Sequence, residues 1–114
     1  MLNSVVLMGR LTATPELKTT PSGVSVTKFC VAVERNYKTG EEKLSDFINV
    51  TAWRGTADFV CKYFQKGQMI AVVGSIQTGS YEKENEKRYT FEVVAEKVSF
   101  CGSKGNNNNN TIEN

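Results

Sequence analysis

The sequence predicts an all-β barrel domain carrying one helix, and three observations predict it. Five segments are rich in β-branched and aromatic residues and alternate with period two. One segment, between the third and fourth of these, changes to the three- and four-residue steps of a helix face. With only one helix present, and the strands before it joined by short turns, neither faces nor lengths suit a parallel α/β unit.

Ser4 to Leu11 reads as the first strand. Val5, Leu7 and Leu11 share one parity, and Val6 and Met8 the other, so both faces are apolar and a subunit partner can cover the outer one. Pro15 and Pro21-Ser22-Gly23 punctuate the segment Glu16 to Thr20 with turn chemistry. Val24 to Arg35 reads as the second strand. Its apolar phase slips from even (Val24, Val26) to odd (Phe29, Val31, Val33), and a β-bulge near Thr27-Lys28 is expected. Asn36 to Leu44 is polar, contains Gly40, and reads as a hairpin loop.

The third strand, Asp46 to Arg54, carries the functional signal. Ile48, Val50 and Ala52 form a core face, and Phe47, Asn49, Thr51 and Trp53 form the other. That second face is expected to be wet at its polar middle, with a ring at each end, roughly 20 Å apart at strand rise. Two separated rings on a solvated strand suit a ligand with successive flat bases and a charged backbone. Taken alone, the strand is equally compatible with rings packed under loops or against another subunit.

Gly55 to Gln65 reads as the helix, with Ala57, Val60, Cys61 and Phe64 facing the core and Lys62 and Lys66 facing water. Thr56 is the expected N-cap, with Asp58 in the first turn, and Lys66-Gly67 the C-terminal signal. Met69 to Thr78 reads as the fourth strand, with Ile70, Val72 and Ile76 on one face and Gly74 as a kink point. Gly79 to Arg88 reads as a charged hairpin loop, and Tyr89 to Phe100 as the fifth strand, with Tyr89 and Phe91 in the core or an interface. The expected domain is residues 1–101. Residues 102–114, with five consecutive asparagines, read as a disordered tail.

Strand, strand, strand, helix, strand, strand is the element order of the OB-fold, a five-stranded Greek-key barrel whose second and third strands and flanking loops bind oligonucleotides or oligosaccharides. Composition narrows the function. Three scattered cysteines and no histidine leave no zinc pattern, and no other cofactor is expected. No nucleophile–base pair or glycine-rich phosphate loop is visible, so no enzyme is expected. No apolar run is long enough to span a bilayer and no signal peptide is visible, which makes the cytoplasm the expected compartment. The formal charge of +2 is too small for bulk electrostatics to hold a polyanion, so phosphate contacts have to be local.

The chain resembles the single-stranded DNA-binding proteins of bacteria and their phages. The resemblance runs from Leu2 to about Phe100. It rests on Val6-Leu7-Met8-Gly9-Arg10-Leu11, Pro15-Glu16-Leu17, Pro21-Ser22-Gly23, Asp46-Phe47-Ile48, Ala52-Trp53-Arg54, Lys66-Gly67 and Tyr89-Thr90-Phe91-Glu92-Val93-Val94-Ala95, in order and at matching spacing. It implies stacking of bases on Tyr37, Phe47, Trp53 and Tyr81. Relatives often carry tryptophan at some of these places, so the stacking area per base is smaller here. Arg35 and Lys38 flank Tyr37, Arg54 follows Trp53, and Lys83, Lys87 and Arg88 lie in or beside the Tyr81 segment. With Arg10 they are the candidate phosphate ligands. Lys83, Lys87 and Arg88 alternate with Glu82, Glu84 and Glu86, which equally describes a solvated hairpin tip.

The resemblance further implies roles in DNA replication, recombination and repair, a homotetramer, and association with the nucleoid. It does not extend to the acidic tip, closing with proline and phenylalanine, through which relatives recruit replication proteins: here the last residues are Thr111-Ile112-Glu113-Asn114, and such recruitment is not expected. An OB-fold accessory protein of primosome assembly or of RNA, and a purely structural domain whose rings are all subunit interface, are the competing readings.

Overall fold

The computed structural model describes residues 1–35 and 44–101. Among these residues six strands and one helix follow one another: β1 (Val5–Leu11), β2 (Lys18–Thr19), β3 (Ser25–Glu34), β4 (Ser45–Trp53), α1 (Arg54–Tyr63), β5 (Met69–Lys83) and β6 (Glu86–Phe100). The sheet order is β1-β5-β6-β4-β3-β2, and an added β1–β3 pairing closes it into a barrel. All pairs are antiparallel except β4–β6. This is the expected OB-type barrel with its helix between the third and fourth long strands. Beyond the five strands read from sequence it has the two-residue β2, which sits in the segment between the prolines and pairs with the start of β3.

The core lies inside the barrel and is plugged by the helix. Val31, Val50, Ala52, Ala57, Val60, Ile70 and Val72 have no exposed surface. Phe64 closes the same cluster from the end of α1. On the outside, Phe100 stacks on Phe64 at 4.8 Å between centroids, and Phe59 meets Phe100 edge-on.

Four local expectations are corrected. First, β3 has no bulge at Thr27-Lys28; its register with β4 runs unbroken from Val26↔Trp53 to Glu34↔Ser45. Thr27 takes the inward position, 1% exposed, and its hydroxyl donates to the Glu16 carbonyl at 2.8 Å. The burial cost of a polar group is thereby offset, and the odd-parity face continues through a threonine instead of switching to Val26. Second, the register shift lies in the β5–β6 pair at Val73/Gly74, beside the glycine expected to kink. Third, α1 begins at Arg54, not after Thr56. Its N-cap is Trp53, with no side-chain capping bond, and Arg54 has φ of +57°. One left-handed residue turns strand directly into helix with no connecting loop, at a cost of order 1–2 kcal/mol for a non-glycine residue. Asp58 is not in the first turn, and the helix ends at Tyr63, ahead of Lys66-Gly67.

Fourth, Gly79 to Arg88 is not a loop. β5 and β6 pair continuously out to Lys83↔Glu86, and only Glu84 and Asn85 form the turn. Both have positive φ, +55° and +65°, the mirror-image two-residue turn that matches the twist of a hairpin. The Asn36–Leu44 hairpin, with Tyr37 and Lys38, lies outside the described residues except for Leu44.

Candidate nucleic-acid interface

In a sheet, residues paired directly across a register point to the same face. The β3–β4 pairs Val26–Trp53, Lys28–Thr51, Cys30–Asn49 and Ala32–Phe47 therefore share the outer face, because the intervening Phe29–Val50 and Val31–Ile48 pairs turn inward. The parallel pairing Thr51↔Val94 carries that face onto β6. There it continues through Glu92 and Thr90 to Arg88, which is opposite Tyr81 on β5. Phe47, Trp53 and Tyr81 thus stand on one continuous curved surface, 67%, 41% and 52% exposed.

Between these rings lies a groove of about 560 Å³ whose lining includes Lys28, Cys30, Asn49, Thr51, Thr90 and Glu92. Its middle is not as open as the strand pattern suggested. Asn49 is exposed, but Thr51 is 2% exposed and donates its hydroxyl to the carboxylate of Glu92. Phe91 also lines the groove and is 54% exposed, and Tyr89 is 78% exposed, so neither ring is core. Lys28 was missed because the apparent phase slip obscured its face. Its direct opposition to Thr51, two residues from Trp53, is the signal that finds it.

The cations distribute unevenly. Arg54 is exposed beside Trp53. Arg88 and Lys83 are on the Tyr81 face of the ribbon, each near Glu86: Arg88 pairs with it at 3.2 Å and Lys83 is opposite it in register. Lys87 points to the other face, over the ring of Tyr89 at 5.8 Å. Arg10 sits at a separate hollow with Met8, Ala32, Glu34 and Ser45, and donates to the Gly67 carbonyl at 3.1 Å.

Arg35 grips Asp46 through both its Nε and its Nη2. That hydrogen bonding outweighs the opposing desolvation and, with the guanidinium charge adding to it, holds the Asp46 carboxyl below its ordinary value of 3.8. A lowered native value means the pair stabilises the fold fully above pH 3.8, and the contribution disappears as pH falls through the native value. NMR titration of the Asp46 carboxyl should give a midpoint below 3.8, and Arg35→Gln should move it up.

Residues 2–101 match the model of the single-strand binding protein family. The chain belongs to that family. Its relatives include Single-stranded DNA-binding protein 3 of Listeria innocua, 46% identical over 99% of this chain and 76% of that protein. Single-stranded DNA-binding protein 3 of Clostridium acetobutylicum is 44% identical over 99% of this chain and 79% of its own length. The single-stranded DNA-binding protein of Staphylococcus aureus strain MRSA252 is 44% identical over 94% of this chain and 70% of its own length. Membership of the family accords with the barrel and with the ring-bearing outer sheet. Among the described residues no helix is long and apolar enough to cross a membrane.

Proposed function

We propose that this chain binds and protects single-stranded DNA with little regard to sequence, in replication, recombination and repair, and does so by binding alone, without catalysis. The observation that carries the reading is the continuous face bearing Phe47, Trp53 and Tyr81, supported by membership of the single-strand binding family. Every base has a π-face, so stacking on rings tolerates any sequence. Tyr37 is the fourth platform by resemblance, with Lys38 beside it. Lys28, Arg54 and Arg88 supply phosphate contacts on the face itself, and Lys83 at its ribbon end. Arg35 serves once it exchanges Asp46 for phosphate, and Arg10 and Lys87 serve strand segments leaving the face.

Oligo-dT should quench the fluorescence of Trp53, the single tryptophan. Binding should weaken with salt, and Lys28→Ala should flatten the log–log salt dependence by about 0.7, the value for one phosphate neutralised on a single strand. Unquenched fluorescence at saturating oligo-dT would overturn the reading. A matched RNA strand in competition separates DNA preference from an RNA accessory role.

The same reading includes a homotetramer. Val6 and Met8 are 74% and 57% exposed on the outer face of β1, in register with Val73 and Ala71 of β5. An exposed apolar sheet face of this kind suits burial against another copy. Light scattering should give four times the chain mass of 12.6 kDa, and Val6→Lys with Met8→Lys should lower it. Nucleoid association in the cytoplasm follows from the same reading.

A further inference from the structure

The groove between the rings contains a group that a polyanion-binding face would be expected to avoid. Glu92 is half-buried there, and among the described residues no cation pairs with it. The Thr51 hydroxyl donates to its Oε1, and Thr51 is itself 2% exposed, which fixes the carboxylate in place. The β4–β6 pairing sets Glu92 beside Asn49, between the strand positions of Phe47 and Trp53. Thr51 is two residues from Trp53, roughly 7 Å along the strand. A base lying flat on the indole can therefore turn its edge along the groove toward this carboxylate.

We propose that Glu92 gives one position of the bound strand a preference for bases that present an amino group, over uracil and thymine. The proposal rests on the single-stranded DNA reading above and deepens it. An ionised carboxylate only accepts hydrogen bonds. Cytosine offers its N4 amino group, the natural partner of a glutamate. Uracil and thymine place a carbonyl oxygen at that position, so acceptor meets acceptor and neither is satisfied. The other bases of a bound oligomer rest on rings alone and contribute no such bias. The preference thus equals about one hydrogen bond, whatever the oligomer length.

The test compares oligo-dC with oligo-dU of equal length at neutral pH, which differ at ring position 4 and carry no methyl group. The wild-type chain should bind oligo-dC about three- to tenfold more tightly, the worth of one net hydrogen bond. Glu92→Gln keeps an oxygen for the Thr51 hydroxyl and adds an N–H that the uracil carbonyl can accept. Its dC-to-dU ratio should fall to about one or below, with oligo-dU affinity retained or raised. A purely structural Glu92 would change both affinities in parallel. Equal wild-type affinity for the two strands overturns the proposal whether or not the variant folds, as does an unchanged ratio in a folded variant. A wild-type chain that binds neither strand overturns the single-stranded DNA reading itself.

Discussion

Replacing Phe47 and Trp53 together by alanine is expected to weaken oligo-dT binding by about 2–6 kcal/mol, about 1–3 for each ring. Even the lower figure is about thirtyfold in Kd. The two sites are far enough apart for their effects to add. The fold should survive, because the rings are 67% and 41% exposed and the core beneath them is built by Val50, Ala52 and their neighbours. Fluorescence anisotropy of a labelled oligo-dT, read beside far-ultraviolet circular dichroism, checks both halves. Loss of dichroism together with binding would mean that the rings support the barrel.

The largest effect on stability is expected at Gly74. A methyl there would land on the carbonyl oxygen of Val94, with the Cα of Ala95 also within van der Waals contact, and neither is a flexible side-chain end. The position lies at the register shift of the β5–β6 pair, where the two backbones approach closely. Gly74→Ala should destabilise by about 2–3 kcal/mol, the upper part of the overpacking range, and lower Tm by about 10 °C or more. Gly55→Ala is the internal contrast. Nothing lies within 4 Å of a Cβ there, and the residue is in α1, so the same substitution should stabilise by a few tenths to about 1 kcal/mol. Thermal melts of the two variants should shift in opposite directions.

The legible parts of this molecule were those where burial and side-chain type agree. In β4 the inward positions are aliphatic and the ring positions are outward, so parity alone assigned the faces correctly. The helix face Ala57, Val60, Phe64 was legible for the same reason. Thr27 and Thr51 broke the pattern because a hydroxyl goes inside at little cost once a carbonyl or carboxylate takes its proton, and that partner is distant in sequence. The partner of Thr51, Glu92, is a charged residue forty-one positions away, and only the parallel β4–β6 pairing brings it into the groove. Residues 79–88 read as a loop because a ribbon with both faces in water leaves no apolar alternation to find. The start of α1 was misplaced because the chain uses a left-handed arginine in place of a capping hydroxyl, a choice that composition does not record.

The β5–β6 ribbon has a thermodynamic consequence. From Gln77 to Glu92 the hairpin strands are ladder-bonded to each other, and every residue from 77 to 91 is exposed. A two-stranded hairpin with neither face buried contributes almost nothing to its own persistence. Local unfolding therefore reaches this arm well below the free energy that opens the barrel. A calorimetric transition will report the barrel and be nearly silent about the arm, whose fraying and re-zipping is a separate equilibrium that a strand lying along Tyr81 would draw toward the zipped form.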